Sequence, residues 1–139
     1  MTFIGKFHPL LVHFPIALVL AAAAAELVVI ATTRPAWRTV AVANIRAAAA
    51  LGVVTVITGW LFASSPLVDA SPSLEWHRWV GVAGAAGAIG AALLSWRLHV
   101  LSRRPAFVYR FTLFVTALLV AITGHLGGAL VWGAGFLQR

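Results

Sequence analysis

An all-α membrane protein, an up-and-down bundle of four transmembrane helices, is the fold class that three observations predict. The 139-residue chain is 62% hydrophobic, only 9% of it is charged, and its apolar residues fall into four long runs separated by short polar breaks. A soluble domain carries about 25% charged residues, so lipid must be the solvent for most of this surface. Crossing the roughly 30 Å hydrocarbon layer takes about 20 helical residues, and each run is long enough.

The first helix is expected from about Pro9 to Ile30, ending at Thr32-Thr33-Arg34-Pro35. Its apolar run is too long for the core of a signal peptide, so it should remain in the mature protein. The second should run from about Ala36 to Phe62 and the third from about Ser73 to Leu98, with the Ser- and Pro-rich stretch Ser64 to Ser73 between them. Ser102-Arg103-Arg104-Pro105 then precedes a fourth helix from about Phe107 to Leu130. Proline and small polar clusters break helices, and no loop is long enough for a soluble domain, so residues 1–139 form a single unit.

Charge placement gives the topology. Arg34, Arg38, Arg97, Arg103, Arg104 and Arg110 flank the first and third loops, whereas Lys6, Arg78 and Arg139 on the other side are diluted by Asp69 and Glu75. The excess of Arg marks loops one and three as cytoplasmic and places both termini outside. Trp60, Trp76, Trp79 and Trp132 then form an outer interfacial belt, with Trp37 and Trp96 on the inner side. The net charge of +7 is thereby a topology signal, and nucleic acid is not an expected partner. The chain has no Cys, which excludes disulfides, thiolate metal sites and covalent c-type haem, and its one Met is the first residue.

A weak internal repeat suggests a duplicated helical hairpin. VTVITGW in the second helix resembles LVAITGH in the fourth, aligning Thr58-Gly59-Trp60 with Thr123-Gly124-His125, while His13 and His77 each precede a long small-residue span.

The histidines are the candidate chemistry, because ionisable side chains within spans usually face a site rather than lipid. His13, His77 and His125 come from three helices and share one layer near the outer side, with His8 just above His13 at the start of the first helix. A b-type haem needs two axial imidazoles about a flat, mostly apolar disc, and facing helices of a bundle build such sites. Gly81, Gly84, Gly124 and Gly128 offer room for the disc, and Arg78 and Lys6 are candidates to pair with haem propionates. The favoured axial pair for the haem iron is His13 with His125, at similar depth on adjacent helices; a second haem fits if His8 and His77 also pair. His13, His77 and His125 suit a Zn or Cu ion as the alternative. Glu26 is the other charge within a span, and matched depth makes Arg46 its expected structural partner. No nucleophile triad, phosphate-binding glycine loop or carboxylate pair is present, so electron transfer is a better expectation than side-chain catalysis.

The opening FHPLLVHFPIAL, with EWHRWVG and TGHLGGALVWG later in the chain, resembles the bacterial membrane family known as domain of unknown function 2231, over almost the whole length. The resemblance implies a four-helix protein of the bacterial inner membrane, and that family is similar to the two-haem membrane b-type cytochromes, whose histidines ligate haem. His8, His13, His77 and His125 match its motif positions. The expectation is thus a membrane cytochrome-like protein with one or two haems b near the outer face. Its partners would be quinol or a periplasmic redox protein, and homo-oligomers are compatible with the sequence. A non-redox membrane subunit or scaffold, or a His-based Zn or Cu binding or transport module, are the alternatives.

Overall fold

The computed structural model describes residues 2–66, 68–99 and 103–133. Among these the secondary structure is helical throughout: α1 (Thr2–Gly5), α2 (His8–Leu11), α3 (His13–Thr32), α4 (Ala36–Ala63), α5 (Pro72–Ser95), a 3-10 turn (Trp96–His99) and α6 (Arg103–Trp132). Four spans are long and apolar enough to cross a membrane: Phe3–Thr32, Ala36–Ala63, Pro72–Ser95 and Ala106–Trp132. Arg139 and the side chains of His99, Arg103 and Arg104 lie outside the described residues.

The first span is broken where a continuous helix from Pro9 was expected, with turns at Lys6–Phe7 and at Val12. Proline explains both breaks. Pro9 and Pro15 lack an N–H for the carbonyls of Gly5 and Leu11, and each ring crowds the carbonyl four residues back. The chain leaves α1 immediately after Gly5 and α2 immediately after Leu11. Gly5 also lets α1 press on the end of α4, for a Cβ there would lie 2.7 Å from the Phe62 backbone nitrogen. The N-terminal segment therefore leans on α4 rather than on α6.

The other ends follow ordinary capping. Ser71 accepts the Leu74 N–H at 3.2 Å and Pro72 occupies the first turn of α5, one residue before the expected start. The α3 helix closes at Thr33, which adopts a left-handed conformation (φ 56°) and donates its N–H to the Val29 carbonyl. The last turn expected of the third helix tightens into the 3-10 turn from Trp96, and α6 begins a turn earlier than expected.

Packing is by hairpins. The α3–α4 and α5–α6 pairs are the most extensive contacts, α4–α5 joins the two hairpins, and α3–α6 closes the bundle least tightly. The core is made of small residues, Ala22, Ala48, Ala88 and Ala91, with Val19, Ile45, Tyr109 and Leu113 filling between them. Small residues let helix backbones approach closely, which is how spans associate when lipid competes with every apolar contact.

The ion pair differs from the sequence expectation. Glu26 is fully buried, and its Oε1 accepts from Arg38 Nη2 at 2.6 Å and from Arg110 Nε at 2.8 Å. Arg46 is not its partner: Arg46 Nε donates to Ser95 Oγ at 2.9 Å, and its guanidinium lies 5.3 Å from the centre of the Trp96 ring. Matched depth misled because Arg46 lies about 12 Å further along α4 than Arg38 and about 80° round its axis, which turns it toward α5. Removing the carboxylate leaves two cations without their shared partner. Glu26→Gln should lower stability in detergent by about 2 kcal/mol, less than for a deeply buried pair because both arginines are partly exposed, whereas Asp69→Asn should change it by less than about 0.5 kcal/mol. Thermal unfolding of the two variants beside the native chain checks this.

Candidate functional site

At the end of the bundle that holds the start of the first span lies a cavity of about 990 Å³ with a mostly apolar lining. All four long helices contribute to it, and Gly81, Gly84, Gly124 and Gly128 are among its walls, as are Gly52, Gly59 and Gly127. Two half-buried histidines face one another inside: the ring centroids of His8 and His77 are 6.3 Å apart, with the ring planes at 79°.

Each ring is held in the same way. His8 Nδ1 donates to the Thr55 carbonyl of α4 at 3.1 Å, and His77 Nδ1 donates to the Thr123 carbonyl of α6 at 3.1 Å. A carbonyl only accepts, so Nδ1 carries the proton in both rings and the Nε2 lone pair is left for another bond. One helical turn beyond each carbonyl is a glycine. A Cβ at Gly59 would lie 2.8 Å from His8 Cε1, and one at Gly127 would lie 3.1 Å from His77 Cε1. The rings occupy the space that a side chain would fill.

The two holders are copies. Thr55 with Gly59 and Thr123 with Gly127 share one spacing, and each belongs to the hairpin that carries its own histidine. The two hairpins thus hold their histidines alike, in a register other than the one the sequence motifs suggest: Thr55 corresponds to Thr123 and His8 to His77. The Thr-Gly pairs aligned by sequence are shifted by one helical turn. Thr hydroxyls in both copies bond back into their own helices, Thr55 to the Leu51 carbonyl and Thr123 to that of Leu119, which satisfies them in an apolar setting.

Of the residues singled out from the sequence, His8 and His77 are thus brought together, and His13 and His125 do not form the facing pair. His13 is exposed, although it borders the cavity, and His125 is exposed and absent from the lining. Helical geometry gives the reason. His13 is about 140° round the axis from His8, before any effect of the break at Val12, and His125 is about 160° round from the inward-facing Thr123. His13, His77 and His125 also do not converge on an ion, and among the described residues no group of three or more His, Asp or Glu side chains could hold one.

Arg78 borders the cavity beside His77, its guanidinium 3.7 Å from the centre of the Trp60 ring, and Trp60 meets Trp79 edge-on at 5.7 Å. Lys6 is exposed and lies outside the lining. Sequence reasoning missed the Thr55 and Thr123 carbonyls and the roles of Gly59 and Gly127. The repeated Thr-x-x-x-Gly spacing was the available signal.

Fold and site together define a four-helix membrane protein in which two hairpins each present one imidazole to a shared apolar cavity. The chain belongs to the family described as predicted membrane protein (DUF2231), whose model matches residues 6–137. No curated protein and no solved structure matches the chain.

Nitrogen NMR of the ¹⁵N-histidine-labelled chain in micelles, free of any metal, should show His8 and His77 protonated on Nδ1. Gly59→Val should abolish that signature for His8 while leaving it for His77, and Gly127→Val should do the reverse.

Proposed function

We propose that this chain is a membrane b-type cytochrome-like electron carrier that holds one haem between His8 and His77. The facing imidazole pair carries the reading. Metal–imidazole bonds of about 2.0–2.1 Å on either side of one ion place two ring centroids about 6 Å apart, and the rings here are 6.3 Å apart. A bare Zn ion is held by about three or four protein ligands, whereas among the described residues no third His, Asp or Glu joins the pair. Two imidazoles suffice when the remaining ligands arrive with the metal, as they do in a porphyrin.

The surroundings suit the same group. The cavity size lies within the range of about 300–1,000 Å³ usual for cofactor sites, and its glycine-rich walls accommodate a flat apolar disc. The Nδ1–H bonds to Thr55 and Thr123 orient both rings and make Nε2 a stronger donor. Arg78 supplies a cation at the cavity wall for a propionate carboxylate. Iron ligated in this way supplies reversible one-electron transfer. The protein's part is to hold both rings, keep water from them, and provide charge at the edge. With loops one and three cytoplasmic by their arginines, the pair lies near the outer face of the bacterial inner membrane, where quinol or a periplasmic redox protein would be the partner.

The test is absorption spectroscopy of the chain expressed with haem available and purified in detergent, oxidised and then dithionite-reduced. A Soret band with sharp reduced α and β bands is expected. His8→Ala and His77→Ala should each lose the six-coordinate spectrum, and His13→Ala and His125→Ala should keep it. A colourless native chain under full haem supply overturns the reading and leaves a scaffold. Bands lost only in the His13 and His125 variants overturn the axial pair.

A further inference from the structure

At the opposite end of the bundle, arginines from α4 and α6 surround one carboxylate. Arg38 and Arg110 both bond Oε1 of Glu26, while Arg46 has neutral neighbours, the Ser95 hydroxyl and the Trp96 ring. Three partly buried guanidinium groups against one fully buried carboxylate leave an excess of two positive charges. Three polar atoms there are buried without a partner: the acceptor Glu26 Oε2, the donor Arg38 Nε and the hydroxyl of Tyr109, which is itself fully buried and within electrostatic reach of Glu26, Arg38 and Arg46. One free carboxylate oxygen cannot neutralise the surplus cations, and two unmet donors against one unmet acceptor leave a place for a further anion that accepts hydrogen bonds.

The duplication shows where it belongs. Glu26 follows His8 by 18 residues and Ser95 follows His77 by 18, so the two occupy corresponding positions in the two hairpins. Each accepts from the Nε of an arginine in the other hairpin, Arg110 for Glu26 and Arg46 for Ser95. The two arginines are not in register, Arg46 lying nine residues before Thr55 and Arg110 thirteen before Thr123, but Glu26 gives its arginine a carboxylate where Ser95 gives only a hydroxyl. The charge missing from the second copy is one that a ligand can bring.

We propose that Arg46, Ser95, Tyr109 and Arg38 form a binding site for a phosphate oxyanion, at the bundle end remote from the imidazole pair. Guanidinium groups match phosphate geometry, and a phosphate oxygen accepts from a phenol and an Arg Nε at once. The phosphate of an anionic lipid headgroup and free inorganic phosphate share this chemistry. Basic pockets between spans are known places for the former. The site is independent of the haem reading.

Thermal unfolding of the full chain in neutral detergent tests it, with added phosphatidylglycerol, phosphatidylcholine or inorganic phosphate as probes. Stabilisation by phosphatidylglycerol but not by the other two supports the site and names a lipid as the source; stabilisation by inorganic phosphate as well supports it with a soluble source. In either case Arg46→Gln should weaken apparent affinity about tenfold or more. Ser95→Asp, which supplies the missing carboxylate, should raise the ligand-free melting temperature and remove the response to added phosphate groups. A native chain that responds to neither anion, or a response unchanged in both variants, overturns the proposal.

Discussion

Inside a bilayer no water completes an unfinished hydrogen bond, and this bundle is organised by where its polar atoms find partners within the protein. The threonines return their hydroxyls to carbonyls of their own helices, as at Thr55, Thr58, Thr116 and Thr123. The two inward histidines take carbonyls on a neighbouring helix, and Glu26 takes two arginines. What polarity remains is confined to the two ends of the bundle, one with the imidazole pair and one with the arginine cluster. Between them the core is almost all alanine, valine, isoleucine and leucine.

Close approach of backbones follows from the same constraint. A histidine reaches a carbonyl in the middle of another helix only if nothing stands beside that carbonyl, and Gly59 and Gly127 clear the space. Proline does complementary work in the first span. By ending α1 at Gly5 and α2 at Leu11, Pro9 and Pro15 free a short segment to settle against α4 and carry His8 inward. The second hairpin needs no such break, because α5 begins only a few residues before His77. Two copies of one arrangement thus reach the same geometry by different local routes.

Much of the fold was legible because hydrophobic run length and proline punctuation act locally. The four spans and the loops between them came from such signals, and Gly81, Gly84, Gly124 and Gly128 do border the cavity. Pairing was less legible. Depth along a helix can be counted from sequence, but direction round its axis depends on neighbours and on breaks such as that at Val12. That is why His13 and His125 looked suitable at equal depth, and why Arg46 was matched to Glu26 while it faces Ser95. The recurrence of a threonine four residues before a glycine carried the right register, but its meaning depends on a carbonyl, which no side-chain pattern displays.

Each histidine finds its holder within its own hairpin, His8 with Thr55 and His77 with Thr123. For a chain inserted into the membrane segment by segment, this makes each half of the site a local product. The first imidazole can be parked once α4 is in place, before α5 exists, and the second once α6 has entered. Docking of the hairpins then only brings two finished halves face to face, and neither inward histidine depends on the other hairpin for its Nδ1 hydrogen bond.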